Sequence, residues 1–177
     1  FSVSLKDISF SANAGEILAI AGIAGNGQDE IMAALSGEWR PPSSGVILLD
    51  GQDISQMGPA ERRRVGLGVV PEERNGHAAI PTMSLSENAL LTNHSLGTIV
   101  RHGLVDKSAT KSIAEDVIKT FDVRTPANDP MAASLSGGNL QKFVVGREIT
   151  KSPRLLVVAQ PTWGVDVGAA VSIRKSI

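Results

Sequence analysis

Leu135-Ser136-Gly137-Gly138-Asn139 is the most specific pattern in this sequence of 177 residues. Its first four residues would occur by chance on the order of once in two hundred chains of this length and average composition. At the start of a helix, a serine hydroxyl and two glycine N–H groups form an anion site, because the donors and the helix dipole all favour negative charge. The alternative is a serine that only caps the helix, followed by flexible glycines. The motifs found elsewhere in the chain favour the anion site.

A glycine-rich segment near the start of the chain is the second candidate site. Gly22, Gly25, Asn26 and Gly27 follow an apolar run and precede a helical pattern that begins at Gln28. Glycine lets the backbone curl so that successive N–H groups point at a phosphate, and the helix adds its positive dipole end. A strand-to-helix turn without a ligand requires the same glycines, so the loop alone leaves both interpretations open.

The two positions after these glycines differ from those of a working phosphate loop. The pattern G-x-x-x-x-G-K-[ST] places a lysine on the β and γ phosphates and a hydroxyl on magnesium. Gln28 and Asp29 stand there instead. Gln28 brings no charge, and Asp29 with Glu30 adds carboxylates that stabilise the helix dipole but repel phosphate. We therefore expect a carboxylate to interact with the positive end of the helix dipole in place of a phosphate. Nucleotide binding at this loop is accordingly expected to be weak.

The apolar run Leu155–Val158 predicts a central strand whose end carries no charge. At that point a hydrolytic site would present an aspartate for magnesium and a glutamate that polarises the attacking water. Ala159 and Gln160 stand there instead, before Pro161. Taken alone, an ordinary strand end looks the same. Together with the changes at the glycine loop, it predicts that the chain's own site has no intact catalytic residue and no metal ligand.

The rest of the chain predicts strands and helices on either side of a helical middle segment. The predicted strands are Val3–Ser11, Glu16–Ala21 after an Asn13–Gly15 turn, Gly45–Leu49 before an Asp50–Gly51 turn, Gly66–Val70 and Leu155–Ala159. The predicted helices are Gln28–Leu35, a short helix opened by Pro59, one capped by Ser84 and Glu87, Asp106–Phe121, Leu140–Thr150 and Gly168–Ile177. From Ser84 the middle third is expected to be purely helical, so the order is sheet, helical insert, sheet.

The composition predicts a globular domain that does not bind nucleic acid. Seventeen basic and eighteen acidic residues give a net charge of −1, which creates no global field for nucleic acid or anionic lipid. The local cluster Arg62, Arg63 and Arg64 is interpreted as a solvated helix face. The absence of cysteine fits a reducing compartment. No signal peptide or membrane span is recognised, so any membrane role is expected to come through a partner.

These motifs resemble, in kind and in order, those of ATP-binding cassette (ABC) proteins, and the resemblance covers essentially the whole chain. It implies an α/β fold with a P-loop NTPase core of ABC type, an antiparallel β subdomain and a helical subdomain. It also implies that two cassettes dimerise head to tail, so that each signature faces the phosphate loop of the other. By this resemblance, Gly22–Asp29 is the phosphate loop, Leu135–Asn139 the signature, Leu155–Gln160 the metal strand and Gly164–Asp166 the dimer-contacting loop.

Two further segments fit the same resemblance. Val69–Glu72 resembles the Q-loop, with Glu72 where glutamine is usual, and Ser86–Asn88 resembles the start of the helical subdomain that faces a permease. The family's switch histidine and its adenine-stacking aromatic lie outside the matched region. The three histidines are interpreted as surface or loop residues; they are His77, His94 and His102.

A finer resemblance is to the second cassette of tandem importers for simple sugars and purine nucleosides. Val70–Arg74 and Gly164–Ala169 are similar to that group, and Ala159–Thr162 favours its nucleoside branch, whereas Trp163 departs from the arginine usual there. We expect the chain to be a piece of a longer protein. We expect one cassette over residues 1–177, with the α/β core and β subdomain in residues 1–83 and 135–177 and the helical subdomain in residues 84–134.

The resemblance implies an ABC-type ATPase that acts at the level of the transporter and hydrolyses ATP poorly, if at all, as an isolated domain. ATP and Mg²⁺ would bind in a composite site, where Ser136, Gly137 and Gly138 act on ATP held by a partner cassette. The implied partners are the first cassette of the same transporter, permease subunits and an extracytoplasmic substrate-binding protein, at the cytoplasmic face of the membrane. Two alternatives remain: a non-catalytic regulatory cassette, and a soluble cassette ATPase that is not linked to transport.

Overall fold

The computed structural model describes residues 4–40, 45–94, 97 and 99–177, and the chain forms two compact units. The first unit ends at Gly58, and the second spans Pro59–Ile177. This division differs from the expected boundaries after residues 83 and 134, which remain a prediction. Among the described residues, no helix is both long and apolar enough to cross a membrane.

Within its described residues, 4–40 and 45–58, the first unit forms one helix and one hairpin. Helix α1 spans Gln28–Ser36 and ends where Gly37 adopts a φ of 86° and its N–H bonds to the carbonyl of Ala33, which confirms the predicted helix and its glycine stop. Strands β1 (Leu48–Leu49) and β2 (Gln52–Asp53) pair antiparallel through the predicted Asp50–Gly51 turn. Both turn residues have positive φ, which matches the right-handed twist of a tight hairpin.

Two predicted strands of the first unit are wrong. The structure forms no strand over residues 4–11 or 16–21, and Val3 lies outside the described residues. Ile17 and Ile20 are 78% and 49% exposed, although the run predicts burial. An apolar run becomes a strand only when a neighbouring strand bonds its N–H and C=O groups. Among the described residues, none of the strand pairings includes residues 16–21.

The second unit is built around a parallel strand pair and helices. Strands β3 (Leu67–Val70) and β6 (Leu155–Val158) pair in parallel, with Leu67 opposite Leu155 and Val70 opposite Val158. The helices are α2 (Pro59–Arg64), α3 (Leu85–Asn93), α4 (Lys107–Thr120), α5 (Gly137–Ile149) and α6 (Val167–Ser176), with a short 3₁₀ helix at Ala132–Ser134. The predicted capping box at Ser84 and Glu87 is present at the start of α3.

The middle segment is not purely helical, as the sequence had suggested. Strands β4 (Val100–Arg101) and β5 (Leu104–Val105) form an antiparallel hairpin between α3 and α4. His102 and Gly103 make its two-residue turn, both with positive φ, which is the backbone of a type I′ turn. The His-Gly pair between short apolar pairs was the available signal, and the helical patterns on either side masked it.

Helix α5 forms the centre of the second unit's core. Leu140, Phe143, Val144 and Val145 are at most 2% exposed, and α5 contacts β3, α4 and α6. Full burial of each of these side chains contributes about 1.5–3 kcal/mol relative to exposure. The signature therefore stands at the start of the most firmly packed helix of the unit, which gives its donors a rigid base.

One surface prediction fails in α2. Arg62 is completely buried, whereas Arg64 is exposed as expected, so the arginine cluster is not a uniformly solvated face. The three arginines follow one another on a helix, and successive helical residues point about 100° apart, so their side chains spread over about 200° and differ in exposure. Composition showed the charge of the cluster but not which arginine points inward.

Candidate functional site

The signature is positioned by the first turn of α5. Ser136 has the backbone conformation of an N-cap, with φ −63° and ψ 154°, but its side chain makes no capping bond to the helix. Its Oγ instead accepts a hydrogen bond of 2.9 Å from Nδ2 of Asn139. The simple capping interpretation of the hydroxyl therefore fails. The Ser136 hydroxyl proton remains able to donate, next to the N–H groups of Gly137 and Gly138, which lie in the helix's first turn.

The signature lies beside the segment that leads into α6. A Cβ on Gly138 would lie 3.1 Å from Oδ2 of Asp166 and 3.1 Å from Cβ of Ala169, so a larger residue here would require these neighbours to shift by a few tenths of an ångström. Asp166 caps α6, because its Oδ1 accepts a 2.9 Å bond from the N–H of Ala169. The structure thus brings together two predicted site segments, Leu135–Asn139 and Gly164–Asp166, that are separated along the chain.

Asn139 of the signature and Lys142, three residues further along α5, fasten the loop that follows α4. Oδ1 of Asn139 accepts a 2.9 Å bond from the N–H of Arg124, and Nζ of Lys142 donates to the carbonyl of Asp122 at 3.0 Å. Asn139 therefore orients Ser136 with one amide atom and holds a neighbouring loop with the other. Sequence reasoning assigned Asn139 to the signature but did not predict this bridging role.

The glycine loop of the first unit is closed by one of its own side chains. Nε2 of Gln28 donates to the carbonyl of Ile23 at 3.1 Å, and Oε1 accepts the N–H of Asn26 at 3.2 Å. Nδ2 of Asn26 adds a 2.9 Å bond to the same Ile23 carbonyl. A Cβ on Gly22 would clash with the Gln28 amide. The Asn26 N–H, which would face a phosphate in a working loop, is therefore satisfied internally by Gln28.

The acids of the first turn of α1 lie in different environments. Asp29 is exposed, whereas Glu30 is only 8% exposed. Both lie in the first turn, where carboxylates favour the helix dipole and oppose an incoming anion. Asp29 offers no hydroxyl for a metal. Gln28 and Asp29 stand where a working phosphate loop has its lysine and its hydroxyl, and the Asn26 N–H is bonded to Gln28.

The end of β6 carries two uncharged residues, Ala159 and Gln160. Ala159 continues the pairing with β3 through a 2.9 Å bond from its N–H to the Val70 carbonyl. Gln160 is exposed and has a φ of 41°, a left-handed conformation that costs a non-glycine residue of the order of 1 kcal/mol. Across the described part of the chain, no group of three or more histidine, aspartate and glutamate side chains is placed to hold a metal. Neither Ala159 nor Gln160 supplies the carboxylate that commonly binds Mg²⁺ in proteins.

The remaining predicted positions are exposed. Glu72 follows β3 and Pro71 and faces solvent. His77, His94 and His102 are exposed, which confirms their interpretation as surface or loop residues.

A buried ionic cluster secures the C-terminal end of α5. Arg147 is 2% exposed and donates to the carbonyls of Asn88 (3.0 Å) and Ala78 (2.8 Å) and to Glu148 Oε1 (3.0 Å). Glu148 is fully buried and also pairs with Lys151. Burial raises the pKa of Glu148, but the charges of Arg147 and Lys151 outweigh it and hold that pKa below its usual value. The cluster ties α5 to α3 and to the loop after β3.

Lys151 is expected to make the free energy of unfolding vary with pH in the alkaline range. Burial lowers the pKa of Lys151 from 10.5 to about 8, against the opposing charge of Glu148. Between these values the unfolded chain holds the proton and the folded chain has released it, so the free energy of unfolding rises with pH by at most about 1.4 kcal/mol per unit. Urea denaturation at pH values across this window measures the slope. Lys151→Met should remove this contribution, and an unchanged slope in that variant would contradict the assignment.

Comparison with known proteins identifies the family of this chain. A family model described as ABC transporter matches residues 5–163. The chain belongs to the ABC transporter family. It is 39% identical over 174 residues to the guanosine import ATP-binding protein NupO of Bacillus subtilis, a match that covers 98% of this chain and 34% of NupO. It is also 39% identical over 170 residues to the ribose import ATP-binding protein RbsA 1 of Rubrobacter xylanophilus, covering 96% of this chain and 34% of that protein.

A solved structure shows the same fold. MJ0796, described as a bacterial ABC transporter cassette in dimeric form, superimposes with a TM-score of 0.76 at 20% identity, covering 94% of this chain and 70% of that one. The predicted fold class is therefore confirmed: a mixed α/β cassette with a helical subdomain. The cassette spans about a third of the length of the curated relatives that it matches.

Proposed function

We propose that this cassette is the ATP-binding domain of an importer for simple sugars or nucleosides, in which its signature completes the ATP site of a partner cassette. The observation that carries the proposal is the first turn of α5. There the Ser136 hydroxyl is not used for capping, and it stands beside the N–H groups of Gly137 and Gly138. In this role the three donors face the γ-phosphate of ATP held by the partner.

The chain's own nucleotide site is proposed to be degenerate. Gln28 closes the glycine loop on itself, Asp29 replaces the metal-binding hydroxyl, and Ala159 and Gln160 replace the acids at the strand end. A charge-assisted bond is roughly twice as strong as a neutral one, so losing the lysine removes the strongest phosphate contact. We therefore propose that the isolated cassette hydrolyses ATP poorly or not at all, and that ATP is hydrolysed by the assembled transporter.

In the composite site, ATP bound with Mg²⁺ would supply both the electrophilic phosphorus and the leaving group. The part played by this chain is electrostatic. The N–H groups of Gly137 and Gly138 and the Ser136 hydroxyl stabilise negative charge on the transferred phosphoryl oxygens, in a geometry that Asn139 and Asp166 hold before the nucleotide arrives. Preorganised donors of this kind need no rearrangement as charge develops.

The partners follow from the same proposal. The relatives are named as import ATP-binding proteins, and they are about three times as long as this chain, which leaves room for another cassette on the same polypeptide. We propose that this other cassette holds the nucleotide. The full protein would bind permease subunits at the cytoplasmic face of the membrane and receive substrate through an extracytoplasmic binding protein. The predicted subdomain boundaries at residues 84 and 134 belong to this proposal.

Nucleotide affinity tests the degenerate loop. The chain is expected to bind MgATP with a dissociation constant weaker than about 1 mM. Exchanging Gln28 for lysine and Asp29 for serine should tighten binding at least about tenfold, because the lysine restores a charge-assisted phosphate bond and frees the Asn26 N–H. Isothermal titration of the chain with MgATP measures both values.

The control for the Gln28→Lys exchange is Gln52→Lys, which adds the same single positive charge on exposed β2 of the same unit. It should leave the affinity within about twofold of the original, because exposed charges at a distance are largely screened. A sub-millimolar affinity of the unmodified chain would refute the proposal that its own site is degenerate. A Q28K/D29S double variant that binds no better than the original would refute the role given to Gln28.

A further inference from the structure

Arg74 connects three segments that lie far apart in the sequence. Its Nη1 is 3.3 Å from the carbonyl oxygen of Gly137, which lies 63 positions further along, and 3.3 Å from that of Gly164, which lies 90 positions further along. The guanidinium also lines a cleft of about 350 Å³ whose wall includes Leu135 and Gly137. One side chain thus joins the segment after β3, the signature and the loop before α6.

Glycine at both acceptor positions makes this contact possible. A Cβ on Gly137 would lie 3.2 Å from Nη1, and one on Gly164 would lie 2.9 Å from Nη2. Gly164 also has a φ of 60°, where other residues are strained. Because any side chain at these positions would displace the guanidinium, the glycines and the arginine form one packed unit.

The contact controls the direction of backbone donors. A peptide group is planar and trans, so the C=O of Gly137 and the N–H of Gly138 point in opposite directions from one rigid plane. A guanidinium bonded to the Gly137 oxygen therefore helps to fix the direction of the Gly138 N–H. The same reasoning applies to the Gly164 oxygen and the N–H of Val165. Arg74 links both planes because the two carbonyls accept hydrogen bonds from the same nitrogen, Nη1, whose N–H groups lie in the plane of the guanidinium.

The backbone that carries Arg74 is itself held in place. The carbonyl of Arg74 accepts the N–H of Ala79 at 2.8 Å, and the carbonyl of Glu73 accepts the N–H of Ala78 at 3.0 Å. The Ala78 carbonyl in turn accepts Nη2 of Arg147 at 2.8 Å. Helix α5 therefore contacts the 73–79 loop through Arg74 at its start and through Arg147 near its end. The loop presents the Arg74 guanidinium from a fixed base.

We propose that Arg74 is a positioning residue that aligns the signature donors with the Gly164–Asp166 loop, so that both meet the partner cassette as one surface. This inference rests on the proposed function of the signature. Arg74 acts through the backbone of Gly137 and Gly164 and does not itself touch the nucleotide. This role requires the planar shape of the Arg74 guanidinium as well as its charge.

The test uses the full-length protein assembled with its permease, with ATP hydrolysis measured as kcat and KM. Arg74→Lys keeps the charge but replaces the planar guanidinium with a strongly hydrated ammonium on a shorter, flexible stem, and Arg74→Gln keeps an amide donor without the charge. Both variants are expected to lower kcat about tenfold, the effect of losing one bond from a charged donor, and to leave the KM for ATP within about twofold. Arg64→Lys, at an exposed arginine of the same unit, should leave both constants unchanged.

A double-mutant cycle with Ser136→Ala separates positioning from general stability. If Arg74 acts through the signature, Arg74→Lys should reduce kcat by less than twofold once Ser136 is alanine, because coupled residues are non-additive. Full activity of Arg74→Lys would overturn the proposal, as would multiplicative effects in the double variant or a loss that tracks a lowered melting temperature of the assembled protein. If Ser136→Ala alone leaves hydrolysis unchanged, the proposed function of the signature fails, and the inference about Arg74 fails with it.

Discussion

Replacing Ser136 with arginine is expected to reduce ATP hydrolysis by the full-length transporter at least about a hundredfold, the usual effect of removing a preorganised donor from a charged transition state. Ser136 is exposed at the start of α5, with its Oγ bonded only to Asn139 among the contacts described. An arginine there removes the hydroxyl and places a long side chain over the N–H groups of Gly137 and Gly138. The partner's γ-phosphate then cannot approach them. Phosphate release by the reconstituted transporter measures the loss.

Ser112→Arg provides the matched control. Ser112 is exposed in the middle of α4, and the same substitution there adds equal charge and volume away from the signature. It should leave hydrolysis within about twofold, since surface changes away from structural features are usually small. Ser136→Ala should fall between these variants, because it removes the hydroxyl without blocking the N–H groups. Unchanged hydrolysis in the Ser136→Arg transporter would refute the composite site.

Arg147→Met is expected to lower the free energy of unfolding of the chain by about 3–5 kcal/mol, the cost of removing one partner from a buried ion pair. Arg147 donates to two backbone carbonyls and to Glu148, and both charged residues are almost completely buried. Methionine fills a similar volume but leaves the carbonyls of Asn88 and Ala78 and one Glu148 oxygen without that donor. Urea denaturation followed by circular dichroism measures the change.

Two comparisons make the Arg147 result specific. Arg174→Met removes an exposed arginine from the last turn of α6 and should change the free energy of unfolding by no more than about 0.5 kcal/mol. Combining Arg147→Met with Glu148→Leu should recover part of the loss, because the carboxylate is then no longer buried without its arginine. A loss below about 1 kcal/mol for Arg147→Met would show that the cluster does not hold α5 to α3.

Most helices could be predicted from the sequence because their boundaries depend on local chemistry. The capping box at Ser84, the Asp106 cap of α4 and the glycine stop at Gly37 all use partners within four residues. Strands β3 and β6 were also predicted, since short apolar runs bounded by glycine and proline favour central strands, but their parallel pairing was not. The hairpin at Val100–Val105 was missed because each of its strands has only two residues.

The candidate site was predictable as a set of motifs but not as an arrangement. The sequence predicted the signature, the altered glycine loop and the uncharged strand end. It did not predict that the Gln28 amide closes its own loop, because the direction of a side chain depends on which acceptors surround it. It also gave no reason to expect that Arg74 would bond both Gly137 and Gly164.

By itself, the sequence determined the family resemblance, the residue changes at the glycine loop and at the end of β6, and most helix boundaries, because each depends on neighbouring residues. Only the tertiary structure decided which polar groups are buried and what they bond. Arg62 and Arg147 look like ordinary surface arginines in a helical pattern, yet both are buried, and the predicted strand at Glu16–Ala21 is absent. Burial and strand pairing depend on residues far away along the chain, and composition and periodicity carry no record of those contacts. The intact signature and its support by Arg74 and Asn139 come from both levels together.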